Sequence, residues 1–445
     1  MRKRLSLKRG LDLKIAGFVE QGTRVVEVKP QFVAVVPDDY PGFVPKTEVR
    51  EGDEVKLGTA LLRDKNDENV KIVSPVEGVV ESIVRGSRRK IERVVIAVAE
   101  KSVYEAEFAS DASSAEAIKD TLQRSGLWAM MRRRPYDIVP AASDVPRDIF
   151  VTALDTAPLA VMPQVESMDK AALAYGVKIL SKLTAGNVYV SVPEESGCEI
   201  EGAVMVDVRG PHPAGNAGIQ VANIAPVNKG EVVWTLDIVT LERIGKLFGK
   251  NILDMSATIA VTGSEVANPS LVNTVVGADM NSILGNRLKE DSEHKRIIAG
   301  NVLTGAHSSM DGYIRYPYRQ ITVIPEGDNA DEFMGWASMS LNKMSVYRSF
   351  PGKFLGRLFN PDARINGGRR AMIMSGEYDK VLPMDILPEY LFKAIIAGDI
   401  DRMEQLGIYE IAPEDVALCE FVDPSKLELQ KLVRNGLDLL RREEA

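Results

Sequence analysis

Val-Arg-Glu-Gly-Asp-Glu-Val-Lys-Leu-Gly-Thr-Ala-Leu-Leu (49–62) and Ser-Pro-Val-Glu-Gly-Val-Val-Glu-Ser-Ile (74–83) set the architecture of the N-terminal part of this chain. Each is a pair of short β-branched runs broken by glycine, with Gly52 and Gly58 in the first copy and Gly78 in the second. Glycine supplies the backbone freedom that a tight turn demands, and the flanking runs read as strands. Two strand–turn–strand units this close together predict a hybrid barrel over residues 44–84. Lys65 lies between the halves, within Asp-Lys-Asn-Asp-Glu (64–68).

The whole chain is much longer than that module. At 445 residues it exceeds one ordinary core, and about three domains are expected. A net charge of −8 argues against a nucleic-acid partner. Two cysteines, Cys198 and Cys419, make no disulfide framework and suit a reducing compartment. The basic start, Met-Arg-Lys-Arg-Leu-Ser-Leu-Lys-Arg, has no apolar stretch behind it, so no secretory signal is read there. No apolar run approaches the roughly 18–20 residues that cross a bilayer. A soluble, cytoplasmic protein is expected, free to dock on a membrane complex.

From about 110 to 255 helical and strand patterns alternate, which predicts an α/β layer. Ser114 caps a helix over Ala115–Ser125 ended by Gly126, and Gln164–Leu183 reads as a long helix behind Pro163. Strands are expected at 148–154, 187–192, 202–208 and 232–234, with a helix over 236–248. Residues 256–328 read as β-rich, with strands at 257–262, 271–276, 296–303 and 313–324, and Asp279 capping a helix to Leu288. The remainder is mainly helical. Pro388 opens a helix with Leu391, Phe392, Ile395 and Ile396 on one face, stopped by Gly398. Ser425-Lys-Leu-Glu428 reads as a capping box ahead of a stripe of Leu429, Leu432, Val433, Leu437 and Leu440. Neither G-x-G-x-x-G nor G-x-x-x-x-G-K-S/T occurs, so nothing in the sequence argues for a dinucleotide or P-loop site.

Two C-terminal segments have the shape of iron–sulfur cluster loops without their cysteines. They are Met-Ile-Met-Ser-Gly-Glu-Tyr-Asp-Lys-Val-Leu-Pro-Met-Asp-Ile-Leu-Pro (372–388) and Asp-Val-Ala-Leu-Cys-Glu-Phe-Val-Asp-Pro-Ser-Lys (415–426). Four thiolates must converge on such a cluster, and Cys419 alone cannot hold one. A non-catalytic partner in a redox machine is the expectation.

Four segments in order carry a resemblance: Arg9-Gly-Leu-Asp-Leu-Lys-Ile-Ala-Gly17, the two barrel halves, Gly-Pro-His-Pro-Ala-Gly (210–215), and Leu-Pro-Met-Asp-Ile-Leu-Pro-Glu-Tyr-Leu (382–391). Over essentially its whole length the chain resembles the A-subunit family of the bacterial sodium-translocating NADH:quinone oxidoreductase. That family is itself similar to the iron–sulfur C-subunit of the Rnf complex and to the NADH-binding flavoprotein subunit of complex I. The resemblance implies an α/β multidomain protein. It comprises a barrel-sandwich hybrid of the biotinyl/lipoyl type (1–105), a Rossmann-like α/β domain (106–255), a β-grasp domain of the soluble-ligand-binding type (256–330), and a helical C-terminal domain like a cluster-less iron–sulfur domain (331–445). As a carrier, Lys65 is set nine residues before Ser74 and lacks a carrier's flanking residues, so a solvated hairpin lysine is expected.

The cofactor-bearing relatives of that family have a glycine-rich flavin-phosphate loop where this chain has Gly-Leu-Trp-Ala-Met-Met-Arg-Arg-Arg-Pro-Tyr-Asp (126–137). Bulky side chains there would keep backbone from a phosphate. Of the relatives' acidic strand end, only Asp155 remains. The cluster-ligand positions fall on Met372, Ser375, Tyr378 and Leu382 in the first loop, and on Val416, Cys419 and Asp423 in the second. The resemblance thus implies no bound cofactor in this member of the complex, with NADH, flavins, iron and quinone used in or with the others.

Two candidate sites stand out. Arg132, Arg133 and Arg134 beside Trp128 and Tyr136 could stack on and hydrogen-bond a quinone, anchor a protein partner, or form a solvated basic turn. His212, between two prolines, could donate to a quinone oxygen or serve as a structural histidine bonded to backbone. Basic residues at 2–9 and 85–93 could face anionic lipid, an acidic partner or water. The expected protein is a peripheral subunit on the cytoplasmic face of the bacterial inner membrane, bound chiefly to membrane subunits, with no catalysis by the isolated chain. The alternatives are an electron-input subunit like that of the Rnf complex and a ligand-binding or carrier scaffold.

Overall fold

The computed structural model describes residues 2–291, 294–328, 357–365 and 368–444, so residues 331–356 of the expected helical C-terminal domain (331–445) lie outside the described residues. The glycine-centred halves pair into two small antiparallel sheets. One orders Phe32–Val35, Ile91–Val98, Gly78–Arg85 and Glu54–Val55, and the other Pro45–Thr47, Ala60–Asp64 and Lys71–Val73. Leu61, Val76, Val80, Val94 and Ile96 are buried in their shared core. Gly52 and Gly58 turn the chain at φ of +88° and +89°. Gly78 does not turn it. It begins a strand, and a Cβ there would meet the Ala97 carbonyl oxygen at 2.1 Å. Lys65 is exposed in the turn before Lys71–Val73.

The second layer is a six-stranded sheet ordered Arg2–Ser6, Val204–Arg209, Val188–Pro193, Ile149–Thr152, Val233–Asp237, Arg132–Arg134. All neighbours are parallel except the last, where Arg132–Arg134 runs antiparallel along the edge. The first strand therefore leaves the barrel in which it was expected, with Arg2 paired to Asp207 on the neighbouring strand at 2.7 Å. Ser114 caps the helix Ala115–Arg124. The long helix expected over 164–183 is only Lys170–Leu180, because the Asp169 carboxylate takes the Ala171 and Ala172 amides and starts it there. Asp237 in turn caps the helix Ile238–Lys250.

A third, mixed sheet is ordered Val25–Glu27, Ser270–Val275, Ser256–Thr262, Gln320–Pro325, Lys295–Ala299, Ala306–Ser308. Asp279 caps Met280–Leu284, which ends at Gly285, short of the expected Leu288. The strands expected over 296–303 and 313–324 shrink to Lys295–Ala299 and Gln320–Pro325. Residues before Gln320 instead form a loop, Ile314–Arg319, that walls two cavities.

The C-terminal helices are Tyr378–Val381, Pro388–Ala397, Ile400–Gln405, Ala417–Val422 and Leu429–Glu444. Leu429, Val433, Leu437 and Leu440 are buried as the stripe predicts, while Ile396 is exposed. The expected capping box does not form: the Ser425 hydroxyl donates to the Ala371 carbonyl and the helix begins at Leu429. Side chains alternate across the parallel sheet. Ile149 and Val151 join a core shared with the barrel and the mixed sheet, whereas Phe150 joins a second core shared with the C-terminal helices.

A crevice at the strand-order reversal

Strand order reverses at Ile149–Thr152. One side leads to Val188–Pro193 and Val204–Arg209, the other to Val233–Asp237. Connections leave such a point in opposite directions, and a crevice opens beyond the carboxyl ends of the strands. A cavity of about 430 Å³ lies there, its wall including Thr152, Asp155, His212, Asp237, Tyr318 and Arg319.

His212 is the best-defined polar group in it. The ring is only 3% exposed, its Nδ1 lies 3.1 Å from the Thr156 hydroxyl, and its Nε2 has no protein partner. The same hydroxyl oxygen accepts the Gly215 N–H at 2.9 Å, which fixes it beside the ring. Burial pushes the imidazole down to about 4, so it is neutral at pH 7. The wall thus holds an uncharged imidazole whose Nε2 is buried and unpaired. Asp155 is pushed upward, first by burial, against the opposing pull of the Ala157 amide and Arg319. Asp39 is pushed up to about 6 by burial, although Arg315 donates to it at 2.6 Å.

The arginine cluster divides in three. Arg134, 3% exposed, reaches Glu414 at 2.9 Å and Asp415 at 3.1 Å. Arg132 spends its donors on the Asp39, Ala129 and Met131 carbonyls and lies over the Tyr316 ring. Arg133 faces Asp144 at 3.4 Å and the Tyr136 ring. Arg132, Arg134 and His212 line the crevice together. Trp128 does not: it is fully buried, edge-on to Trp234, and donates to the Pro140 carbonyl at 2.8 Å. Its ring has no face left for a ligand. Tyr136 is buried too, against Tyr409. The solvated basic turn is likewise corrected, because Arg134 is buried and the strand Arg132–Arg134 is hydrogen-bonded to Val233–Thr235.

Sequence reasoning passed over Arg315, Tyr316, Tyr318 and Arg319, which it placed in a strand. The alternation Arg-Tyr-Pro-Tyr-Arg (315–319) was the available signal, since proline excludes a central strand.

The cluster-loop positions do not fit a cluster. Tyr378, Leu382, Val416 and Cys419 sit together in the apolar C-terminal core. The Cys419 thiol is pushed well up by burial, and by Asp379, Asp415 and Asp423 beside it. Among the described residues no group of three His, Cys, Asp or Glu could hold a metal ion. Nor does segment 126–137 fit a phosphate loop, because Leu127–Met131 fill the core.

Comparison with known families and proteins agrees with this architecture. Residues 5–99 match the NqrA N-terminal barrel-sandwich hybrid domain, 113–252 the NqrA second alpha/beta domain, and 258–309 the NQRA C-terminal domain. The A-subunit of the Na(+)-translocating NADH-quinone reductase of Pasteurella multocida is 38% identical over 453 residues, covering 99% of this chain and all of its own. The counterpart in Vibrio alginolyticus is 38% identical and that in Neisseria meningitidis 37%, at the same coverage. An NAD+-reducing nickel–iron hydrogenase chain superposes at a TM-score of 0.39 and 11% identity, over 74% of this chain and 61% of that one, a likeness that carries no argument.

Proposed function

This chain belongs to the A-subunit family of the Na(+)-translocating NADH-quinone reductase, and from that premise we propose how it serves there. It is a subunit of the complex that couples electron transfer from NADH to quinone with sodium transport. What carries this reading is the 38% identity along the whole length of chain and relative alike. It contributes assembly and part of the quinone end of the path, with the neutral His212 imidazole, Arg132 and Arg134 walling the crevice that takes the quinone. A neutral imidazole suits a neutral quinone, because neither partner pays to bury a charge. The chain binds no flavin or cluster of its own, a reading supported by Tyr378, Leu382 and Val416 at the ligand positions.

The strand orders support the finer fold reading. Five parallel strands, their order reversing at Ile149–Thr152, support a Rossmann-like layer. The sheet of 256–325, with its first and last strands parallel at the centre, supports a β-grasp. Among the described residues no helix is long and apolar enough to cross a membrane. We place the chain peripherally on the cytoplasmic face, held by membrane subunits.

The test is a native pull-down of the tagged chain from detergent-solubilised membranes of its host. Recovery of flavin-bearing membrane subunits with sodium-stimulated NADH:quinone activity is the expected result. A solitary, inactive chain overturns the subunit reading.

A further inference from the structure

Across the Ile314–Arg319 loop from the crevice lies a separate cleft of about 310 Å³, between the helix Ile238–Lys250 and the mixed sheet. Its apolar wall includes Met162, Met168, Val239, Ile259, Leu271 and Ile314. Arg243 enters it from the helix and is 5% exposed. Its Nη2 donates to the Ser256 carbonyl at 2.6 Å, its Nη1 lies 3.7 Å from the Met130 sulfur, and its Nε has no partner.

Every other cation on this wall has a carboxylate. Lys246 holds Asp254 at 2.5 Å, Arg315 holds Asp39 at 2.5 Å, and Arg319 faces Asp237 at 3.9 Å. The remaining acid, Glu242, accepts the Asp169 amide at 2.8 Å. Among the described residues no carboxylate stands at ion-pair distance from Arg243. A carbonyl and a thioether supply partial charge only, so a buried guanidinium is left without a direct carboxylate contact, although its charge helps hold the Asp237 carboxyl down. Its planar fork matches a carboxylate in two parallel hydrogen bonds. The other charges on the wall are paired among themselves, apolar side chains make up the larger part of the rest, and the cleft has the size of small-molecule sites.

We propose that this cleft binds a monoanionic amphiphile, such as a medium-chain fatty acid or an aryl carboxylate. The head pairs with Arg243, and the apolar body lies against Met162, Met168 and Leu271. The site is distinct from the crevice and shares with it only the loop wall and Asp237.

The test is titration calorimetry of the purified full chain with sodium decanoate below its micellar concentration, and with 1-decanol as the uncharged counterpart. One saturable site is expected, at least tenfold tighter for decanoate than for decanol. Arg243→Gln should weaken decanoate at least tenfold. Should that variant fail to fold, Met162→Trp fills the cleft from its half-exposed rim, leaves Arg243 in place, and should block binding just as well. No saturable site in the native chain, equal affinity for decanol, or undiminished binding to Met162→Trp would each overturn the proposal.

Discussion

His212 shows how one side chain can be set by its surroundings. Burial takes its pKa from 6.5 to about 4. The unfolded chain binds a proton near pH 6.5 while the folded chain refuses it until about 4. The contribution to stability is therefore complete above pH 6.5 and is lost as pH falls toward 4. Its size is about 3 kcal/mol, from 1.36 kcal/mol per unit. Asp39 runs the other way, since its pKa rises from 3.8 to about 6. Its contribution is complete below 3.8 and is lost as pH climbs through 6. The difference between native and His212→Gln melting curves isolates the histidine. The native curve should fall more steeply between pH 6.5 and 4, and parallel curves would refute neutral burial. His212 was visible in the sequence as a rigid loop histidine. Its partner Thr156 was not, because 56 residues separate them.

At the scale of elements, the two helices that cover the parallel sheet meet through glycine. A Cβ on Gly245 would lie 1.8 Å from the Ala172 carbonyl oxygen, and one on Gly176 would lie 2.5 Å from that of Leu241. Backbone touches backbone at this crossing, so no flexible side-chain end can yield. Gly245→Ala should cost about 3 kcal/mol by urea denaturation, at the upper end of ordinary overpacking. Gly249→Ala, one turn on, finds nothing nearer than 3.6 Å. It should be neutral or stabilise by about 0.5–1 kcal/mol, as alanine does over glycine within a helix. Equal effects would sink the crossing argument. Caps at Ser114 and Asp279 were legible because a cap is a local device, read from adjacent residues. Lengths were less so: Asp169 restarts the backbone at a point that apolar periodicity runs straight through.

At the scale of the molecule, Arg134 ties the edge of the α/β sheet to the C-terminal domain. Its fork spans Glu414 and Asp415, and Asp415 also presses on Gly218, where a Cβ would lie 2.1 Å from its carboxylate. Removing one partner of a buried pair strands the other charge. Arg134→Met should therefore destabilise the chain by about 3–5 kcal/mol, and Arg134→Met with Asp415→Leu should recover much of that loss. Strictly additive single effects in that cycle would show that the pair does not act as a unit. By itself the sequence determined the barrel halves, the alternating α/β layer, the apolar C-terminal stripe and the loss of cluster ligands. Those are matters of local pattern and of which atoms are present. Only the tertiary structure decided that Trp128 belongs to the core and that the first strand pairs with Val204–Arg209. It alone placed His212, Asp155 and Arg319 around one crevice and left Arg243 without a direct carboxylate partner. Each of these depends on contacts between residues far apart in the chain, and burial, which fixes their chemistry, is a property of the packed molecule.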